Sequence, residues 1–307
     1  MRVAVTGATG VIGRRAIDAI LQRGDQVIAL TRDPDQARQK LGGRVDPQAW
    51  ADPKHSPPPS DALEQADAVL HLLGEPIAQR WTDDAKREIR DSRVLSTRAL
   101  VATIAALPED RRPRVFVSQS ATGYYGPRGG EPVDESASAG DDFLAGVTVE
   151  WEREASQAAS AGVRVATTRT GVVLSAQGGA LEKMLPPFKL GVGGPVAGGR
   201  QYVPWVHLDD VVGAMLRCLD DDAATGPVNL TAPNPVTNAE LSKTLGRVLH
   251  RPAVLPVPGL ALKALYGEMA TIVLTGQRAV PARLGELGYQ FRHPQLEAAL
   301  RDVLSGS

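Results

Sequence analysis

Arg2-Val3-Ala4-Val5-Thr6-Gly7-Ala8-Thr9-Gly10-Val11-Ile12-Gly13 opens the chain: a short apolar run that passes directly into a turn with a glycine at every third position. Gly7, Gly10 and Gly13 have the spacing at which a backbone curls tightly, approaches a pyrophosphate and packs its helix against a sheet. The phosphates of a dinucleotide would rest on free N–H groups at the helix N-terminus, so Gly7, Thr9, Gly10, Val11, Ile12 and Gly13 are the predicted contacts. The amphipathic run 12–22 follows, then a second apolar run at 26–30, and that strand–turn–helix–strand context sets this turn apart from a plain glycine loop.

Short apolar runs recur at 67–72, 114–118, 163–167 and 228–230, separated by helical patterns at 35–41, 83–107, 149–161 and 209–220. This alternation predicts an α/β fold, a Rossmann-type doubly wound parallel sheet with helices on both faces. Composition changes near residue 174. The expected organisation is a dinucleotide-binding core over 1–174, completed by returning segments around 203–231. A smaller, mostly C-terminal substrate lobe takes 175–202 and 232–307, with helices at 238–249, 259–266, 269–275 and 294–304. The glycine-dense stretch 191–199 reads as a loop of the substrate pocket.

With 307 residues and 43% hydrophobic content the chain buries a sizeable core. Its net charge of -1, from 34 basic and 35 acidic side chains, offers no cationic field for nucleic acid or anionic lipid, so neither is an expected partner. No apolar run approaches membrane-spanning length and no targeting segment precedes the first strand, which makes a cytoplasmic protein the expectation. Cys218 has no cysteine to pair with and reads as a core filler. The five histidines lack metal-ligand spacing, so no metal is expected. There is no Gly-x-Ser-x-Gly elbow and no Gly-Lys-Ser/Thr phosphate loop, which sets lipase-like and ATPase readings aside.

At the end of the second strand, where NAD sites place an acid on the ribose 2′-hydroxyl, this chain has Thr31-Arg32. A guanidinium pairs with a 2′-phosphate, so Arg32 predicts NADP(H) in preference to NAD(H). The competing reading leaves Arg32 as a surface charge and makes Asp33 the ribose ligand.

Further motifs accumulate along the chain. They are Gly74-Glu75-Pro76-Ile77 with Arg80-Trp81-Thr82, Ser92-Arg93, Ser118-Gln119-Ser120-Ala121-Thr122-Gly123-Tyr124-Tyr125-Gly126, and Phe143-Leu144 with Trp151-Glu152. Arg169-Thr170-Gly171-Val172-Val173-Leu174 and Val206-His207-Leu208-Asp209-Asp210 complete the set. Together they resemble the extended short-chain dehydrogenase/reductase superfamily. More narrowly, they resemble its atypical branch of sugar-nucleotide-epimerase-like and cell-division-inhibitor-like proteins, whose own C-terminal module is similar to residues 256–300. The resemblance implies that Leu72, Leu73 and Gly74 line the cofactor groove, that Arg93 lies near the phosphates or faces the site, and that Ser118 and Val172 join the cofactor contacts. It also implies that Ser120 is the hydroxyl over the substrate oxygen. A homodimer paired through helices beside the active-site strand is a further implication.

The superfamily's proton shuttle is a Tyr-x-x-x-Lys helix, and residues 134–161 contain neither a tyrosine nor a lysine. Three substitutes are candidates: Tyr124, Tyr125 and Glu75, with the helix acids Glu150 and Glu152 beside them. Each also has a plain structural reading, the tyrosines as a packing lid and the acids as solvated charges. On the substrate side Arg80 and Trp81 read as a clamp, Arg200 as a cation for an anionic group, and His207 as either a structural histidine or a substrate contact. The expected function is an NADP(H)-dependent oxidoreductase or epimerase-like enzyme acting on a small carbonyl or hydroxyl substrate. The rival is a non-catalytic NADP(H)-binding sensor or regulatory interaction protein.

Overall fold

The computed structural model describes residues 1–305. Seven parallel strands form the central sheet: β1 (Arg2–Thr6), β2 (Gln26–Thr31), β3 (Val45–Ala49), β4 (Ala68–His71), β5 (Val115–Ala121), β6 (Arg164–Thr170) and β7 (Gly226–Leu230). Their order across the sheet is β7-β6-β5-β4-β1-β2-β3, with every adjacent pair parallel. The order in which successive strands are added therefore reverses between β1 and β4, and the crevice beyond their carboxyl ends is where such sheets bind ligands.

Both faces of the sheet are covered, which is why its strands read as apolar runs rather than alternating ones. On one face Ile17 and Ile20 of α1 (Val11–Gln22) pack on Val3, Val5 and Val117, and Met215 and Cys218 of a later helix join the same core. On the other face Leu100 and Ile104 of the long crossover helix bury Ala4, Ile28, Val69 and Phe116. Burial pushes the Cys218 thiol up to about 12, as befits an inert core residue.

Five helices fill the first half: α1, α2 (Pro34–Leu41), α3 (Ser60–Glu64), α4 (Asp83–Ala106) and α5 (Phe143–Ser156). The second half adds α6 (Gly179–Lys189), α7 (Leu208–Asp220), α8 (Asn238–Leu249) and α9 (Gly259–Tyr266). A third apolar cluster joins Leu181 and Phe188 of α6, Leu241 and Leu245 of α8, and Leu296 and Leu300 near the C-terminus. Among the described residues no helix is long and apolar enough to cross a membrane.

Two departures from the sequence reading have clear causes. Strand β3 was not expected, because it lies on the sheet edge, where Asp46, Pro47 and Gln48 are tolerated and no apolar run is needed. Helix α5 begins at Phe143 rather than near 149, because Asp142 caps it: its Oδ1 accepts a hydrogen bond from the Ala145 amide at 2.8 Å. That early start sets the turn from Phe143 to Val147 against the site.

Beneath the crevice His71 is fully buried at the end of β4, its Nδ1 2.8 Å from Thr6 Oγ1 and its Nε2 2.9 Å from Thr97 Oγ1. With no carboxylate bonded to it, burial pulls the imidazole down to about 3. The unfolded chain, titrating near 6.5, then binds the proton before the folded one. Stability is complete above that pH and falls as the pH drops from it toward 3, by up to about 1.4 kcal/mol per pH unit. Urea unfolding at pH 7 and pH 5 should differ by about 2 kcal/mol more in the parent protein than in His71→Gln, whose amide does not titrate.

Candidate active site

Three glycines shape the phosphate turn. Gly7 has φ +63°, and a Cβ there would stand 2.6 Å from the Leu72 carbonyl oxygen; one at Gly13 would stand 2.3 Å from the Gly7 carbonyl oxygen. The turn closes through the Gly10 amide on Gly7 O at 3.0 Å. Helix α1 then begins with no side-chain cap and no acidic residue in its first turn, leaving its leading amides and dipole to an anion. Such a cradle fits a dinucleotide diphosphate. At the end of β2, Arg32 is exposed, whereas the Asp33 carboxylate caps α2 by accepting the Gln36 amide at 2.9 Å.

A cleft of about 500 Å³ opens beyond the carboxyl ends of β4, β5 and β6. Leu72, Leu73 and Gly74 form one wall, held by the Leu72 amide on Thr6 Oγ1 at 3.0 Å. Arg93 of α4 crosses Gly74, where a Cβ would sit 3.0 Å from the guanidinium carbon, and lies over the Trp151 ring at 5.3 Å. Its Nη1 donates to the Ile89 carbonyl at 2.9 Å, and it forms no salt bridge among the described residues. Desolvation lowers it to about 10, partly countered by nearby Glu75, so it remains a cation facing the cleft. Trp151 adds a buried indole N–H with no partner on the same wall.

Ser120, at the end of β5, supplies the polar floor. Its hydroxyl donates to Glu152 Oε1 at 2.6 Å. Arg169 of β6 grips that carboxylate with two parallel bonds, Nε to Oε1 and Nη2 to Oε2, both 2.8 Å. Burial works against the Arg169 charge, but Glu152 more than offsets it and holds the guanidinium well above its ordinary range. Arg169 also stacks on the Tyr124 ring at 3.4 Å and donates from Nη1 to the Tyr125 phenol at 3.1 Å.

Of the residues expected at the site, Ser120, Leu72, Leu73, Gly74, Arg93, Trp81 and Val172 line the cleft together. The others stand elsewhere. Tyr125 is fully buried, donates to Asn229 Oδ1 at 2.7 Å, and is pushed up to about 12 by burial despite Arg169. It is a core tyrosine and not a cleft acid. Tyr124 stacks on Arg169 instead of lining the cleft, and Glu75 lies outside the lining with its amide on Ser92 Oγ. Ser118 is buried beneath the floor, bonded to the Gln119 carbonyl. Arg80 and Arg200 are exposed outside the cleft.

The glycine-dense stretch 191–199 also misses the cleft. It packs where side chains would collide, Gly194 with the Leu255 carbonyl and Gly199 with Ala239. His207 caps α7 by accepting the Asp209 amide on Nδ1 at 3.0 Å, and its Nε2 lies 3.1 Å from Asp302. With His293 and Asp209 it forms a group of potential metal ligands, but Asp209 is ion-paired to Arg15 and the His207 Nδ1 is taken by the cap. Arg169 and Glu152 are the residues that sequence reasoning undervalued. The available signal was an arginine inside the otherwise uncharged run 165–170, which requires a buried counter-charge.

This fold and cleft define a dinucleotide-binding enzyme of the doubly wound α/β class. Residues 3–230 match the model of the NAD dependent epimerase/dehydratase family, and 257–303 match a domain of unknown function, DUF1731. The chain belongs to that epimerase/dehydratase family and is an NAD(P)-dependent oxidoreductase/epimerase-like enzyme. It is 41% identical to the chloroplastic epimerase family protein SDR39U1 homolog of Arabidopsis thaliana, over 99% of this chain and 87% of that one. The crystal structure of human epimerase family protein SDR39U1 (isoform 2) with NADPH is similar over 100% of both chains, with 32% identity and a TM-score of 0.87. UDP-glucuronic acid 4-epimerase from Bacillus cereus, at 15% identity and TM-score 0.79 over 100% of this chain and 99% of that one, shares the fold.

Replacing Arg169 by Met strands the partly buried Glu152 carboxylate and should cost about 3 kcal/mol in urea unfolding. The double variant Glu152→Gln/Arg169→Met should lose clearly less than the sum of the two single losses, since no charge is then left unpaired.

Proposed function

We propose that the protein is an NADP(H)-dependent oxidoreductase acting on a carbonyl or secondary-alcohol carbon, with the Ser120–Glu152 pair standing in for the absent Tyr-x-x-x-Lys. The observation that carries this reading is the 2.6 Å hydrogen bond from Ser120, on the floor of the cleft, to the Glu152 carboxylate behind it, which Arg169 clamps. The dinucleotide, when bound, supplies the hydride donor or acceptor at its nicotinamide ring.

With its proton directed at Glu152, Ser120 Oγ presents lone pairs to the cleft and accepts a hydrogen bond from a substrate hydroxyl. As the carbinol carbon gives up its hydride, the substrate O–H proton passes to Ser120 Oγ and the Ser120 proton passes to Glu152, leaving a C=O bond. Reduction runs the same transfers backwards from a protonated Glu152. Arg169 holds the carboxylate in line with Ser120, and Arg93, beside Gly74, gives the cofactor end of the cleft a cation.

The preference for NADP(H) rests on Arg32 at the end of β2 and on Asp33 being occupied as the α2 cap. The NADPH in the human relative's structure supports the same reading. A second reading is favoured by the cleft face of α5, which presents Leu144, Val147, Thr148 and Trp151 and no phenol or amine: a cofactor-binding regulator without turnover. NADPH oxidation by a panel of aldehydes, ketones and quinones separates the two, since tight binding with no turnover anywhere on the panel would leave only the regulator.

Ser120→Ala and Glu152→Gln should each lower kcat by about 10²–10³-fold with little change in NADPH affinity. Arg32→Ala should weaken NADPH by about tenfold or more and leave NADH unchanged, measured by calorimetry. Equal losses for the two cofactors would remove the 2′-phosphate assignment.

A further inference from the structure

The substrate end of the cleft, past Ser120, is walled by Ile77, Trp81, Phe143, Met184, Val203 and Ile272. The Trp81 ring meets Phe143 edge-on at 5.1 Å, and its indole N–H is already bonded to the Ile77 carbonyl at 3.0 Å, so Trp81 offers apolar surface, while one face of Phe143 carries the Lys86 ammonium at 5.2 Å. Val273, 41% exposed, carries this wall out to the mouth.

Charge in the cleft is arranged against a nucleoside diphosphate. Arg93 is the one lysine or arginine among the described lining residues, and it lies at the cofactor end against Gly74 and Trp151. The other charged lining groups are carboxylates, Asp142 and Glu268. Lys86 is held 2.5 Å from Glu268 and is not a lining residue. A diphosphate placed there would meet the Asp142 carboxylate and no unpaired cation, since the Lys86 charge is spent on Glu268.

Much of the lining polarity is also engaged within the protein. Asp142 caps α5, Asn238 Oδ1 accepts the Val196 amide at 2.7 Å, and Gln277 donates to the Thr122 carbonyl at 2.7 Å. Gln201 donates to the Val273 carbonyl at 2.8 Å, and Thr148 Oγ1 donates to the Leu144 carbonyl at 2.8 Å. A sugar ring buried here would leave several of its hydroxyls without partners, which is costly.

We infer that the substrate is an uncharged, largely apolar ketone, aldehyde or secondary alcohol whose single oxygen meets Ser120 and whose hydrocarbon body lies between Trp81–Phe143 and Ile272–Val273. It is not a sugar nucleotide. This inference rests on the reading of the cleft as the substrate site of an oxidoreductase, but its test is a binding measurement independent of turnover.

The full chain loaded with NADP+, which has no hydride to give a ketone, is titrated calorimetrically with acetophenone, 2-decanone, UDP-glucose and UDP-glucuronic acid, and reduction is followed separately with NADPH. The two ketones should bind at least about tenfold more tightly than either sugar nucleotide, and Ile272→Asp should weaken the ketones by about tenfold while NADPH binding stays unchanged. Val273→Asp, at a more exposed position, provides the same comparison should Ile272→Asp fail to fold. Tighter binding of a sugar nucleotide, or no ketone binding, overturns the inference. Ketones that bind and are never reduced uphold the substrate class and overturn the oxidoreductase reading.

Discussion

A guanidinium buried in a β-strand must be answered by a carboxylate, and the Arg169–Glu152 pair is the contact around which this site is arranged. It joins β6 to α5 through a carboxylate of that helix. It orients Ser120 through Glu152, and it draws in Tyr124 and Tyr125, whose rings flank the guanidinium instead of the cleft. The positions of both tyrosine rings thus have a single cause. A desolvated charge collects every nearby acceptor and π-face and leaves few polar groups for the substrate side.

The fold was legible in the sequence because its signal is local. The glycine spacing 7-10-13 and the apolar strand runs each report a backbone requirement that neighbouring residues satisfy. Strand β3 was not legible, since an edge strand containing Pro47 has one apolar residue at its start and no periodicity. Part of the cleft was similarly readable: Leu72, Leu73, Gly74, Arg93 and Val172 lie on its lining, one residue or a few beyond strand ends or on the crossover helix. The partners of Ser120 were not. Whether Tyr125 faces the cleft or Asn229 depends on a residue more than a hundred positions away, and whether Glu152 is solvated or buried depends on Arg169. Side-chain direction after a tight turn is a tertiary property. His207 misled for the same reason: a histidine before an acidic helix start reads equally as ligand or cap, and its Nδ1 is the cap.

Sharing a fold with sugar-nucleotide epimerases fixes the sheet, the crevice and the phosphate turn, none of which determines what lies opposite the nicotinamide. In this chain the cleft beyond the strand ends is lined by the start of α5, by residues 201–204, and by residues from 268–277 near the C-terminus. The last of these lies within the DUF1731 match, so the segment that closes the substrate end comes from a module separate from the epimerase/dehydratase match.

Gly171 separates these two provinces. A Cβ there would lie 2.0 Å from the Pro204 carbonyl oxygen, so the backbone leaving β6 is locked against the strand Trp205–His207 with which residues Val172–Leu174 pair. The floor and the roof of the cleft are thereby in close backbone contact at this point. Diversification of ligand choice has to proceed through the outer walls, which can exchange one hydrocarbon contour for another without moving Ser120. An enzyme constructed this way can acquire new molecules to act upon while its reaction centre stays the same.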